Sequence, residues 1–139
     1  MILVDTCILL DVVLGDPRWA DWSQAQLARG AERGGLLINP FVYAEFSVWY
    51  ESLEECEHVL ARFEVAFEEL PREALFLAGK AFRRYRSRRG TRSSVLPDFF
   101  IGAHAALREV PLLTRDSARI RAYFPRVALI TPDSKNPSA

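Results

Sequence analysis

The 139-residue chain is poor in sulfur, with one methionine and two cysteines, Cys7 and Cys56. The cysteines lie far apart and form no CxxC pair. That excludes a disulfide framework and fits a cytoplasmic protein with two free thiols. With only two histidines, no Cys/His cluster has zinc spacing. No apolar run approaches the roughly 18 residues that cross a bilayer, so no membrane span is expected. The N-terminus lacks a basic region before its apolar stretch and lacks a small-residue cleavage site. It reads as a buried strand, not a leader. No repeat, low-complexity tract or second domain is visible. One domain over 1–131, followed by a loose tail over 132–139 (PDSKNPSA), is the expected organisation.

Lysine is also scarce. Of 18 basic residues only Lys80 and Lys135 are lysines, and acids and bases balance to a net charge of zero. The balance hides a segregation. Glu51 to Glu73 carries eight glutamates against Arg62 and Arg72, whereas Ala74 to Pro97 has no acid. That second stretch holds Lys80, Arg83, Arg84, Arg86, Arg88, Arg89 and Arg92. Such a block attracts a polyanion even on a neutral chain, or it forms a solvated face that docks an acidic partner.

Half of the residues are apolar, enough for a core. Short apolar runs alternate with helical patterns. Strands are expected at 1–4, 36–38, 111–114 and 127–130. Helices are expected at 6–14, 18–33, from Pro40 to about Tyr50, from Ser52 to about Ala66, from Pro71 into the arginine block, from Pro97 to about Glu109, and at 117–123. Asn39-Pro40 reads as an N-cap with proline at the first helical position. The alternation predicts an α/β fold. A parallel sheet of about four to five strands would be flanked by helices on both faces.

Ligands of such sheets bind at the carboxyl ends of the strands, and acids stand there. Asp5 follows the first strand, Asp116 follows Leu112 to Thr114, and Asp98 opens a helix. Each alone reads equally well as an N-cap. Glu45 lies inside its helix with Phe41, Val42, Val48 and Trp49 on the same face, a stripe expected to face the core. A carboxylate buried there needs an arginine partner or a metal ion. Four carboxylates brought together would repel and raise one another's pKa values. A divalent cation removes the conflict. An all-oxygen set suits Mg²⁺ or Mn²⁺, and the chemistry it supports is phosphodiester hydrolysis.

DTCILLD at the start, YAEF around Glu45, LPDFFIGAHA from Leu96 and LLTRD ending at Asp116 together resemble the PIN domain, most closely its VapC-type toxin branch. The resemblance runs from Ile2 to about Thr131. It implies a Mg²⁺- or Mn²⁺-dependent endoribonuclease, the toxin of a toxin–antitoxin pair. Asp5, Glu45, Asp98 and Asp116 match the family's four acids. Asp5 and Asp98 would be the most direct metal ligands, and Glu45 and Asp116 would complete the site. Thr6 and Thr114 match hydroxyl positions beside them, and Cys7 stands where many relatives carry Asn or Ser. The resemblance further implies a homodimer, an RNA substrate and a small antitoxin lying over the active-site groove. Arg84, Arg88, Arg89 and Arg92 lead directly to Asp98 and are candidate RNA contacts.

Other readings remain. A catalytically silent PIN scaffold would bind RNA or a protein, though such a member would be expected to lose an acid. A receiver-type phosphotransfer domain also gathers acids at strand ends, but it needs a DxD pair or a late lysine, and Lys80 and Lys135 are badly placed. His104 reads as a partly buried structural histidine, His58 and Asp11 as surface residues, and Cys7 and Cys56 as packing residues. Trp19, Trp22 and Trp49 read as core or interface anchors.

Overall fold

A computed structural model describes residues 1–88, 90–91 and 95–132. Arg89, Arg92 and the expected tail from residue 133 lie outside the described residues. The chain runs β1 (Ile2–Val4), α1 (Thr6–Val13), α2 (Ala20–Glu32), β2 (Leu36–Ile38), α3 (Pro40–Ser47) and α4 (Leu53–Phe63). It continues with β3 (Val65–Phe67), α5 (Arg72–Ser87), α6 (Leu96–Arg108), β4 (Leu112–Leu113), α7 (Ala118–Tyr123) and β5 (Leu129–Ile130).

The five strands form one sheet in the order β3-β2-β1-β4-β5, and every pairing is parallel. The strands are short and apolar because helices cover the sheet. Leu3, Val4, Leu36, Leu37, Ile38, Leu112 and Leu113 are all buried. Ile8 and Leu9 of α1, Val42 and Phe46 of α3, and Phe99 and Ile101 of α6 complete the same core. From β1 the chain steps outward through β2 to β3, then returns to the other side of β1 for β4 and β5. The switch point therefore lies between β1 and β4, where open α/β sheets place their sites.

Local chemistry sets the helix starts. Asn39 Oδ1 accepts from the amides of Phe41 and Val42 at 3.0 Å each, with Pro40 at the first helical position. Ser52 Oγ accepts from the Glu55 amide at 3.1 Å. Gly34 and Gly35 have φ of +121° and +103° and make the turn into β2, a conformation that favours glycine.

The expected helix from Ser52 to about Ala66 ends early. Glu64 adopts a left-handed conformation (φ 55°), and Val65–Phe67 is the edge strand β3, paired with β2. Neither glycine nor proline marks that stop. Helix-favouring glutamates flank the strand, so the sequence reads on as helix. Helix α3 ends at Ser47, so Val48 and Trp49 do not extend a core-facing stripe. They are 79% and 56% exposed.

Candidate active site

Asp5 leaves β1 and caps α1. Its Oδ1 accepts from the Thr6 amide at 2.8 Å, and its Oδ2 accepts from the Thr114 hydroxyl at 2.7 Å. Cys7 Sγ lies 3.7 Å from the same Oδ2. Thr114 follows β4 and is buried. Its oxygen also accepts from the Asp116 amide at 3.0 Å, so its hydroxyl proton is free to point at Asp5. Thr6 turns its side chain the other way, and its hydroxyl donates to Glu45 Oε1 at 2.8 Å. The half-buried Glu45 is thus tied to Asp5 through one threonine, and Asp116 through another. Thr6 and Thr114 hold the acids as the sequence suggested.

Asp98 stands in the first turn of α6, near the helix N-terminus, where the dipole favours its charge. Its Oδ2 is in close contact with Nη1 of Arg119, which also lies 3.9 Å from Asp116 Oδ2. Burial pushes the Asp5 carboxyl up, partly offset by its bonds from Thr114 and Thr6, and the Glu45 charge adds to the rise. Burial likewise raises Glu45, with Thr6 lowering it and Asp98 raising it. Asp98 is pushed up to about 6, first by burial and then by the Asp5 charge, with Arg119 opposing. The charge of Asp116 raises it further. The fold thus brings Asp5, Glu45, Asp98 and Asp116 into one another's electrostatic field at the switch point.

Among the described residues, no three acid, histidine or cysteine side chains form a ready-made metal cage. The donor set nevertheless fits a hard divalent cation. It consists of carboxylates and hydroxyls, and Asp5, Glu45 and Asp98 each feel a neighbouring acid's charge. Asp5 Oδ1 accepts one hydrogen bond and keeps a second lone pair, while Oδ2 accepts from Thr114 and more weakly from the Cys7 thiol.

Asp11 is a correction. It is not a surface residue but is buried, 3% exposed. Arg115 forks onto it, with Nε on Oδ2 at 2.8 Å and Nη2 on Oδ1 at 2.9 Å. Ser23 Oγ donates to the same Oδ2 at 2.6 Å. Arg115 lies between Thr114 and Asp116, so this pair pins the β4 loop to α1 and α2. The signal was there: α1 is apolar on nearly every side, and an acid in such a helix is buried, as argued for Glu45.

His104 is fully buried in α6. Asn39 Oδ1 takes the α3 amides, so its Nδ2 donates to His104 Nδ1 at 3.2 Å, and the ring carries its hydrogen on Nε2. Nε2 lies 3.6 Å from Glu68 Oε2, and Arg108 Nε donates to Glu68 Oε1 at 3.0 Å. The structural reading of His104 fits: Asn39 bonds Nδ1, while the buried Nε2 faces Glu68 beyond hydrogen-bond reach and has no hydrogen-bond partner among the described residues.

Of the arginine block, Arg84 and Arg88 are described and exposed. Arg84 Nη2 donates to the Tyr123 carbonyl at 3.4 Å, and Arg88 sits over the Tyr123 ring, 5.4 Å from its centroid. The basic end of α5 therefore abuts α7, the helix that carries Arg119. Sequence reasoning missed Arg119. Its signal was a basic residue three positions after Asp116, one helical turn away.

A parallel sheet with carboxylates gathered at its switch point defines a class of acid-site α/β domains. The chain belongs to the PIN domain family, which matches residues 2–127. Nuclease activity is typical of that family. The fold is similar to that of VapBC2 from Rickettsia felis, in a structure bound to a DNA fragment from its promoter. There the identity is 19% and the TM-score 0.74, covering 96% of this chain and 100% of that one. It is also similar to FitAcB from Neisseria gonorrhoeae, with 18% identity, a TM-score of 0.67, and 95% and 98% of the two chains covered. A toxin–antitoxin complex from Klebsiella pneumoniae gives 20% identity, a TM-score of 0.64, and coverage of 95% and 98%. No curated protein matches the sequence. No helix among the described residues is long and apolar enough to cross a membrane.

Proposed function

We propose that this PIN domain, spanning residues 1–131, is a Mg²⁺- or Mn²⁺-dependent endoribonuclease and the toxin of a toxin–antitoxin pair. The observation that carries the reading is the convergence of Asp5, Glu45, Asp98 and Asp116 at the β1/β4 switch point, each of the first three perturbed by a neighbour's charge. Asp5 and Asp98 would hold the metal most directly, with Glu45 and Asp116 completing the site. A divalent cation held there would neutralise charge on the scissile phosphate and supply a water acidic enough to attack it. Thr114 fixes the Asp5 carboxylate, and Thr6 fixes Glu45, so the acids are oriented before any ligand arrives. Arg84 and Arg88 would grip backbone phosphates beside the site, with Arg89 and Arg92 continuing the same block.

A small antitoxin is the proposed partner, in line with the complexes formed by proteins of similar fold. It would lie over the active-site groove; a separate groove of about 620 Å³, lined by Val13, Gln24, Leu27, Arg62, Phe63 and Glu64 and by none of the four acids, offers a further seat of mixed polarity. A second copy of the chain is the other proposed partner, with exposed Trp49, Leu53, Phe67 and Phe76 as contact area. The proposed setting is the cytoplasm.

The test is cleavage of total RNA by purified protein, with Mg²⁺ or Mn²⁺ against EDTA, beside Asp5→Asn. Metal-dependent fragments that vanish in the variant support the reading. Folded protein that binds RNA yet cleaves none under any metal condition favours the silent scaffold. Cleavage that survives Asp5→Asn overturns the site assignment.

A further inference from the structure

The nuclease reading gives Arg119 no task, yet its guanidinium stands among the acids. It is the second residue of α7, and its side chain is 23% exposed. Nη1 contacts Asp98 Oδ2 and lies 3.9 Å from Asp116 Oδ2, so one guanidinium nitrogen serves two acids on different elements. A guanidinium does not deprotonate in a protein, so this is a permanent positive charge. Arg115, the basic residue just before Asp116, is committed to Asp11. Of the two, only Arg119 offsets the acid cluster.

We propose that Arg119 is the resident counter-ion of the carboxylate cluster, holding Asp98 and Asp116 when no metal is bound and competing with a divalent cation for them. This rests on the metal-site reading above. The chemistry is an exchange. A cation held by Asp98 would meet the Arg119 charge already beside Oδ2, and a fixed positive charge there repels an incoming dication. The cation would gain Oδ2 only as the guanidinium swings off Asp98. Arg119 thus trades metal affinity for an acid cluster that stays assembled without metal, and it makes occupancy depend on the free metal concentration. It is a positioning residue: it acts through Asp98 and Asp116.

The measurement is Mn²⁺ binding to metal-free protein, read from the electron paramagnetic resonance signal of free Mn²⁺, so that cleavage plays no part. Arg119→Gln keeps a hydrogen-bond donor and drops the charge. It should bind Mn²⁺ about fivefold tighter, the size expected for losing one partly exposed ion pair. Arg119→Lys, which keeps the charge, should stay within about twofold of the parent chain. Without metal, Arg119→Gln should melt lower than the parent, and Mn²⁺ should raise its melting temperature by more. Equal or weaker Mn²⁺ binding by folded Arg119→Gln overturns the proposal and leaves the metal site standing. No Mn²⁺ binding by the folded parent chain overturns both. If Arg119→Gln does not fold, the parent chain still decides. The nitrogen resonances of the Arg119 guanidinium should be held apart in metal-free protein and merge as Mg²⁺ is added and its rotation is freed. Resonances unchanged at saturating Mg²⁺ overturn the proposal.

Discussion

Thr114 donates its hydroxyl proton to Asp5 Oδ2 at 2.7 Å, joining the loop after β4 to the residue after β1 across 109 positions of sequence. The same oxygen receives the Asp116 amide at 3.0 Å. One buried hydroxyl therefore sets two of the four acids. Thr114→Val keeps the shape and removes both bonds. It should cost about 1–3 kcal/mol of stability, because the Asp116 amide and an Asp5 oxygen lose their partner. Metal-dependent cleavage should fall by about 10-fold or more, the usual effect of losing a group that orients a ligand. Thr114→Ser should restore most of both. Chemical denaturation and the RNA cleavage assay read the two effects, and a fully active Thr114→Val would show that Asp5 needs no orienting.

The metal-free protein should lose stability as pH rises. Asp98 is pushed up to about 6 from the ordinary 3.8, so the folded state holds its proton more tightly than the unfolded chain. That contribution is fully present below pH 3.8 and is lost as pH rises through about 6. Asp5 and Glu45 are raised as well and act in the same direction. The buried His104 has the opposite sign: burial lowers its pKa, so its contribution is lost as pH falls below the ordinary 6.5. Asp98→Asn should remove its share of the decline, and Mn²⁺ should reverse it in the parent chain. Melting temperatures between pH 4 and 8, with and without Mn²⁺, separate these effects. A parent melting temperature that climbs steadily through pH 6 and an unaltered slope in Asp98→Asn would refute the assignment.

The Asp11–Arg115 fork is buried on the acid side, 3% against 28% exposed. Arg115→Met leaves a buried carboxylate with Ser23 alone and should destabilise by about 3 kcal/mol. Asp11→Leu combined with Arg115→Met removes both charges and should cost clearly less than Arg115→Met alone. Denaturant midpoints for the two singles and the double complete the cycle. Additive losses would mean that the two side chains do not depend on each other.

Reversal of Arg84 and Arg88 to glutamate should weaken RNA binding across sequences and lower the salt slope by about 2, one for each lost phosphate contact. The metal-free melting temperature should hardly move, because both side chains are exposed. Binding measured at several salt concentrations reads the slope. An unchanged slope would place the RNA elsewhere.

Much of this was visible before folding. Asn39-Pro40 and Ser52 cap helices as their side chains dictate, and the apolar triplets ILV and LLI pair as parallel strands. The nearness of the four acids was legible because Asp5 and Asp116 follow strands, Asp98 opens a helix and Glu45 interrupts an apolar helix. What stayed hidden had tertiary causes. β3 reads as helix because only its pairing with β2 makes Val65–Phe67 a strand. Local pattern could flag Asp11 as buried and Arg119 as a neighbour of Asp116, but their partners Arg115 and Asp98 lie 104 and 21 positions away and only the fold supplies them.

The pairing of β1 with β4 also bears on timing. Asp5 is synthesised long before Asp116, and β1, which lies between β2 and β4, keeps one edge unpaired until Leu112 and Leu113 arrive. Long-range parallel pairing of this kind forms late. A nascent chain, or one cut short before β4, carries three of the acids and no assembled centre. Without β4, Asp5 also lacks the Thr114 hydroxyl that holds it, so the acids come together only once the two strands have met.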